Sequence, residues 1–229
     1  MESPVPDDAA RGRTRAANVR RLLAGKTWST WIDLICVVIL AIASLAAAWS
    51  GFQAAGWSGE QAALYTQAGT ARIESTRATN LANKQLTIEI GLFNGWSEAY
   101  VEGNTGLMTF YRNRMLPEIE TALAAWIATD PLNNPDAPLE PFVMPGFTLP
   151  AMEQANQLAQ EAEDLFEAGQ EANEQSDRYV LITVILAMVL FFGGLATRIG
   201  WRPAQVFTVA LAIVLLIVSL AQLATYPLA

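Results

Sequence analysis

The densest group of reactive side chains is a run of carboxylates late in the chain: Glu161, Glu163, Asp164, Glu167, Glu171 and Glu174. Carboxylate oxygens are the ligands that Ca²⁺ and Mg²⁺ prefer, but the run lacks the acidic and glycine spacing of a calcium loop. The Glu-x-x-His pairs of di-metal helix bundles are impossible, because the chain contains no histidine. We therefore predict a solvated helix face, with neither a metal nor another cofactor bound.

The missing histidine excludes further chemistry. It removes Ser-His and Cys-His nucleophile activation and the usual proton carrier near neutral pH. The lone cysteine, Cys36, lies in an apolar segment, so one chain cannot form a disulfide framework or a thiolate cluster. Paired acids for glycoside hydrolysis would need a cleft. The long helical hairpin that the spacing of residues predicts below does not supply one. We predict a protein that is not an enzyme and has no catalytic residues.

Three apolar runs have the length of membrane-spanning helices: Leu34–Ala48, Val180–Ala196 and Val206–Ala224. About 20 mostly apolar helical residues cross a hydrocarbon core of about 30 Å. Trp31 and Trp49 flank the first run, as aromatic residues do at membrane interfaces. The runs predict an all-α integral membrane protein with three transmembrane helices.

Basic residues predict the orientation. They cluster in residues 1–27 and recur as Arg198 and Arg202 between the second and third runs, which places both segments in the cytoplasm. Residues 56–178 hold 18 acidic and 6 basic residues and would be extracytoplasmic. The competing interpretation is a signal peptide cleaved after Ala46-Ala47-Ala48. The apolar run continues through Phe52, which favours an uncleaved anchor in a bacterial inner membrane.

Two features of the first span suggest packing roles. Small residues recur every four positions and predict a helix-packing seam: Ala43, Ala47, Gly51, Ala55 and Gly59. Asp33 is the one acid inside a span, and such groups are functional candidates by default. Because it lies at the same membrane edge as Arg198, we predict a structural ion pair between the two.

Two heptad-like stripes, made mainly of small residues, lie near the two ends of the acidic block. One comprises Leu64, Ala68, Ala71, Ser75, Ala78, Ala82 and Gln85, and the other comprises Ala151, Ala155, Leu158, Ala162, Leu165, Gly169, Ala172, Ser176 and Tyr179. Alternating steps of four and three residues are typical of closely packed helices. They predict a long antiparallel extracytoplasmic hairpin. If both helices leave the membrane at one height, Arg72 faces Glu163 and Ala68 faces Ala168.

The middle of the acidic block differs from its flanks. A third helix is predicted over about residues 106–129, kinked or divided at Pro117. Residues 130–150 are rich in proline and leave two interpretations open. They form either a strap packed on the hairpin or a loop exposed to a partner, in both cases through the same residues: Phe142, Val143, Met144 and Phe147. We favour the strap.

The segment from Trp49 to Ala62 reads W-S-G-F-Q-A-A-G-W-S-G-E-Q-A. It resembles a W-S-x-x-Q-A-x-x-W-S-G-E-Q-like segment of small bacterial three-span membrane proteins of unknown function. The resemblance also touches residues 72–78. It implies a three-span topology and a bacterial source, and it transfers no activity. Within this segment, Gln53, Glu60 and Gln61 form a predicted polar cluster at the membrane interface, where they would bond between helices.

The expected organisation has six parts. They are a basic cytoplasmic tail (1–27), a first transmembrane helix (28–55), an acidic helical extracytoplasmic domain (56–178), a second transmembrane helix (179–198), a cytoplasmic link (199–205) and a third transmembrane helix (206–226). The tail would be either disordered against anionic lipid or an interfacial amphipathic helix.

Two functions follow from this organisation. We predict a non-catalytic scaffold or accessory subunit that assembles with itself or with other membrane subunits, without nucleic acid. The alternative is an oligomeric cation channel with an acidic extracytoplasmic vestibule.

Overall fold

The computed structural model describes the backbone of residues 8–229 and the side chains of residues 30–229. This range forms α-helices and one short 3₁₀ turn at Pro141–Val143, without a β-strand. The helices are α1 (Asp8–Val101), α2 (Thr105–Arg112), α3 (Pro117–Ile127), α4 (Pro150–Ala196) and α5 (Arg202–Thr225). The prediction of an all-α protein is confirmed.

Helix α1 is 94 residues long and contains no proline, so nothing in its backbone forces a break. It includes the basic segment from Asp8 onward, which is helical and continuous with the first apolar run. Residues 1–7 and the side chains up to residue 29 lie outside the described part. Contact of the basic tail with lipid therefore stays a prediction.

Among residues 30–229, three helices are long and apolar enough to cross a membrane. They are Thr30–Val101, which is the part of α1 with described side chains, together with α4 and α5. Their most apolar windows are only 22%, 33% and 28% buried within the chain. The three predicted runs thus fall in three separate helices. Most of their apolar surface is left for lipid or for other protein.

The chain divides into two compact units. The first comprises the chain up to Gln61 together with Gln170–Ala229, and the second comprises Ala62–Gly169. All three apolar helices contribute to the core of the first unit at helical spacing. Its buried side chains include Ile32, Cys36, Ile39, Ala43, Ala46, Ile182, Leu186, Val189, Val209, Ala212 and Leu216.

In the second unit, α1 and α4 pack through small residues. Ala68, Ala71, Ala78 and Ala82 of α1 are buried, as are Ala151, Ala155 and Ala162 of α4. These are positions of the two predicted stripes, so the heptad interpretation located the packed faces correctly. Small side chains let two helix backbones approach closely, and α1 uses that proximity for a hydrogen bond from Ser75 Oγ to the carbonyl oxygen of Ala155 (2.8 Å).

The predicted register between these helices is wrong by about six residues, between one and two helical turns. Ser75 lies beside Ala155, and the Tyr65 ring stacks on Phe166 with centroids 5.2 Å apart. Those contacts place Ala68 opposite Ala162 rather than Ala168. Arg72 and Glu163 are both exposed, and no ion pair joins them in the described chain. Packing of the buried stripe sets the register, because exposed ion pairs contribute at most about 1 kcal/mol.

The predicted third helix is divided at Pro117, as expected. Leu116 is extended, with φ −67° and ψ 149°, and Pro117 occupies the first turn of α3. This conformation follows from the clash between a proline ring and the preceding residue. Helix α2 begins after Asn104, whose side-chain oxygen accepts the Leu107 N–H at 3.1 Å.

Helices α1 and α3 and the proline-rich segment meet in an aromatic core. It consists of Phe93, Trp96, Met115, Ile119, Leu123, Trp126 and Leu149. The Phe93 ring meets Trp126 and Phe142 edge to face, at centroid distances of 5.4 and 5.7 Å. Trp126 Nε1 donates to the carbonyl oxygen of Pro138 at 2.6 Å. The Phe142 ring contact ties the proline-rich segment to α1, and the Trp126 hydrogen bond ties it to α3.

Candidate functional site

The predicted seam of small residues is only partly a contact within the chain. Ala43 is buried and Ala47 is half-buried, but Gly51, Ala55 and Gly59 are exposed. With 3.6 residues per turn, a strict four-residue step rotates by about 40° each time. A stripe with this spacing therefore leaves the packed face after two steps. The predicted seam is therefore not one continuous contact within the chain, and packing of its exposed part against another helix stays a prediction.

The packed row on α1 follows alternating steps of three and four residues instead. Its buried members are Ile32, Cys36, Ile39, Ala43, Ala46, Ser50 and Gln53. This spacing keeps one face of a helix toward its neighbours over several turns. This three-and-four spacing was present in the sequence, but the four-residue spacing of alanines and glycines was the more conspicuous pattern.

The three exposed members form an open surface, called here the small-residue face: Gly51, Ala55 and Gly59. A Cβ atom added at Gly51 or Gly59 would meet no other atom within 4 Å. At Gly56, by contrast, it would lie 2.7 Å from Ala229 Cβ. The two glycines of the small-residue face therefore have room for added bulk, whereas a side chain at neighbouring Gly56 would collide with Ala229.

The structure keeps only one of the three residues of the predicted polar cluster in a buried polar contact. Gln53 is 2% exposed, and its Oε1 accepts the backbone N–H of Ala229 at 3.0 Å. Glu60 is exposed and Gln61 is half-buried. Among the described residues, no hydrogen bond joins Gln53 to Glu60 or Gln61. Glu60 lies at nearly the same angle around α1 as Gln53 but about two turns farther along the helix, beyond the contact with Ala229.

Gln53 instead belongs to a different set of polar contacts that joins α1, α4 and the segment after α5. Trp57 Nε1 and the Tyr179 hydroxyl both donate to the carbonyl oxygen of Pro227, at 3.2 and 2.9 Å. Ser50 Oγ donates to the carbonyl oxygen of Tyr179 at 2.8 Å, and Ser176 Oγ to that of Ala54 at 3.0 Å. These bonds join the middle of α1 to the middle of α4 and fasten the segment after α5 to both helices.

The predicted ion pair between Asp33 and Arg198 is not formed within the described chain. Both side chains are exposed, and neither takes part in the ion pairs among residues 30–229. Asp33 follows the buried Ile32 but lies about 100° around the helix from it. That rotation turns the carboxylate away from the packed face.

The proline-rich segment behaves as a strap rather than as an exposed loop. Phe142, Met144 and Phe147 pack against the aromatic core, and only Val143, at 60% exposed, remains outside. The partner-loop alternative, which needs all four side chains exposed, is therefore wrong for three of them. Their burial follows from the aromatic surface that α1 and α3 present to this segment.

The second unit contains a buried acid that the sequence interpretation missed. Glu89 is 3% exposed, and its Oε1 accepts the backbone N–H of Leu116 at 3.2 Å. Its Oε2 is buried without a hydrogen-bond partner, as is Oε1 of Gln85, one turn earlier. Glu89 continues the heptad stripe that was traced only as far as Gln85, and that spacing was the available signal.

Its surroundings raise the pKa of the Glu89 carboxyl above the ordinary value. Burial is the main cause, because it removes water from the charged form, and the negative charge of Glu118 adds to it. The hydrogen bond from Leu116 acts in the opposite direction and lowers the pKa.

The carboxylates of the acidic run lie on exposed positions of α4. Among residues 30–229, no three histidine, cysteine or acidic side chains are grouped so that they could hold a metal ion. The arrangement fits the predicted solvated face.

Comparisons with known proteins give no relative: no family model, curated protein or solved structure matches the chain.

Proposed function

We propose that this protein is a non-catalytic scaffold or accessory subunit of a membrane, and that it assembles through the small-residue face of α1. Its partners are further copies of the chain or other membrane-protein subunits. The proposal includes a bacterial inner membrane, a cytoplasmic N-terminus and an extracytoplasmic second unit.

One observation carries the proposal: Gly51, Ala55 and Gly59 stay exposed after the three apolar helices have formed their core. Lipid tails are as apolar as leucine side chains, so helices associate in membranes mainly by close packing of small residues. A face without side-chain bulk lets another helix approach the backbone of α1. The low burial of the three apolar windows, at most 33%, leaves room for such neighbours.

The second unit supports an antiparallel hairpin as the extracytoplasmic part. Its contacts join Tyr65 to Phe166 and Ser75 to Ala155, so residue numbers rise along α1 while they fall along α4. Such a hairpin, with its aromatic core, would offer a long surface to a partner.

The polar residues of α5 give a cation channel little support. Thr208 and Ser219 are buried, and their hydroxyls donate to carbonyl oxygens of their own helix, those of Ala204 and Leu215. Both side chains are buried among the chain's own helices, so they do not face a path between neighbouring copies of the chain. Cation flux into liposomes that contain the purified protein would test this alternative directly.

The assembly itself is tested by filling the small-residue face. Gly51→Leu and Ala55→Leu add bulk where the first unit offers no contact, so each chain should still fold. We expect the mass of the protein in mild detergent or nanodiscs to fall from that of an assembly toward that of one chain. Light scattering or native mass spectrometry measures this change.

Ala210→Leu is the matched control, because Ala210 is an exposed residue of α5 and gains the same bulk. The control should keep the mass of the unaltered protein. Self-assembly is wrong if the unaltered protein is a lone chain in both environments, and the role of the small-residue face is wrong if the leucines on α1 leave the assembly intact.

A further inference from the structure

Glu89 and Gln85 present an imbalance of hydrogen-bond donors and acceptors inside the second unit. Glu89 Oε2 and Gln85 Oε1 are both buried, and neither has a donor. Leaving a buried polar atom without a partner costs about 1–3 kcal/mol, and more for a charged group. Two orphaned oxygens on successive turns of one helix therefore call for something that bonds to both.

Helix geometry brings the two side chains together. Residues four positions apart lie on the same face, with Cβ atoms about 5–6 Å apart. Side chains in a helix also lean toward its N-terminus, so the Glu89 carboxyl extends over the turn that carries Gln85. Glu89 Oε1 is already engaged by the Leu116 N–H, which leaves Oε2 as the free atom.

We propose that Glu89 is a proton-binding site at neutral pH, with its Oε2–H donated to Gln85 Oε1 and its Oε1 accepting from Leu116. A single proton then satisfies both orphaned oxygens and removes a buried charge. The neutral carboxyl joins α1 to the linker between α2 and α3. When the proton leaves, two acceptors face each other in a buried site, and this junction loosens. Glu89 is therefore a pH-sensitive contact of the second unit.

The surrounding charges agree with a neutral carboxyl. Glu118 of α3 bears on Glu89 and disfavours its ionised form. The basic residues at the end of α2 and in the following linker are engaged elsewhere: Arg112 pairs with Glu120 at 3.0 Å, and Arg114 lies over the Phe110 ring. The other charged residues on adjoining segments are exposed or half-buried: Lys84 of α1, Glu140 of the strap and Glu153 of α4.

Glu89→Gln tests the site, because the amide N–H replaces the proposed O–H donor without being able to ionise. Thermal unfolding of the full chain in detergent is followed from about pH 4 to pH 8. A carboxyl with a raised pKa contributes its full stability below its unfolded pKa and loses it as pH rises through the folded pKa. We expect equal apparent Tm at about pH 4. At neutral pH the apparent Tm of E89Q should be on the order of 10 °C higher, because the unaltered chain loses stability over every pH unit in which its folded carboxyl stays protonated and its unfolded carboxyl does not.

Glu98→Gln is the control, since Glu98 is an exposed acid of the same helix, and it should follow the pH profile of the unaltered chain. Infrared difference spectroscopy supplies a second readout. The C=O band of a protonated carboxyl should be present at neutral pH and absent from E89Q. The proposal is overturned if that band is missing, if E89Q fails to fold, or if the unaltered chain gains stability over E89Q as the pH rises from 4.

Discussion

Two glycines within long helices of the second unit have opposite surroundings. A Cβ atom at Gly169 of α4 would lie 2.5 Å from the ring of Tyr65, which is itself stacked on Phe166. Gly169→Ala should therefore destabilise the protein by about 1–3 kcal/mol, because the ring must leave its place. Chemical unfolding monitored by circular dichroism measures the difference.

Gly69 of α1 provides the comparison, because a Cβ atom there would meet nothing within 4 Å. Gly69→Ala should stabilise the helix by about 0.5–1 kcal/mol, since alanine loses less backbone entropy on folding than glycine does. If G169A stabilised the protein as much as G69A, the contact between Gly169 and Tyr65 would not exist in solution. Tyr65→Ala should make the alanine at position 169 tolerable.

At the scale of elements, the pairing of α1 with α4 can be tested by cross-linking. The contacts of Ser75 with Ala155 and of Tyr65 with Phe166 place Ala68 opposite Ala162, and both alanines are buried. Cysteines at 68 and 162, in a chain with Cys36→Ala, should form a disulfide under mild oxidation. Bridged cysteines need Cα atoms about 4.4–6.8 Å apart, and a seam of alanines brings helices that close.

Cysteines at 68 and 168 are the matched control for this register. That pair corresponds to the alignment expected from equal heights above the membrane, and it should give little cross-linked product. Efficient linkage of 68 to 168 without linkage of 68 to 162 would show that the helices pair in the alignment expected from equal heights and not in the one that the structure shows. Gel mobility without reductant distinguishes the linked from the unlinked chain.

The same pairing shows what the sequence could predict about these elements. The packed faces could be predicted from periodicity alone. Ala68, Ala71 and Ala78 are buried because their spacing keeps them on one side of the helix. Register depends on which side chains interlock across the contact, as Tyr65 does with Phe166, and one sequence does not encode that choice locally. The charge pairing of Arg72 with Glu163 was a poor guide for this reason.

The candidate sites were harder to predict than the helices. The four-residue spacing of small residues on α1 was visible in the sequence. Each four-residue step turns the next small residue by about 40° around the helix axis, and this rotation decides which of them face the chain's own helices. The contacts of Gln53 involve Ala229, 176 positions away, so no local pattern indicated them. Glu89 was missed because acids were judged by clustering, whereas its environment comes from the aromatic core around it.

For the whole molecule, the distribution of basic residues yields a prediction about orientation. Basic residues gather before the first apolar helix and between α4 and α5, and acids dominate residues 56–178. We expect the second unit to lie outside and the α4–α5 link inside, because positively charged segments are retained in the cytoplasm.

Leu139 is 94% exposed in the second unit, and Gly200 is exposed in the link. A membrane-impermeant thiol reagent applied to sealed vesicles of known orientation should label Leu139→Cys from the outer side. In the same Cys36→Ala background, Gly200→Cys should react only after permeabilisation. The reverse labelling pattern would place the acidic unit in the cytosol and remove the extracytoplasmic scaffold from consideration.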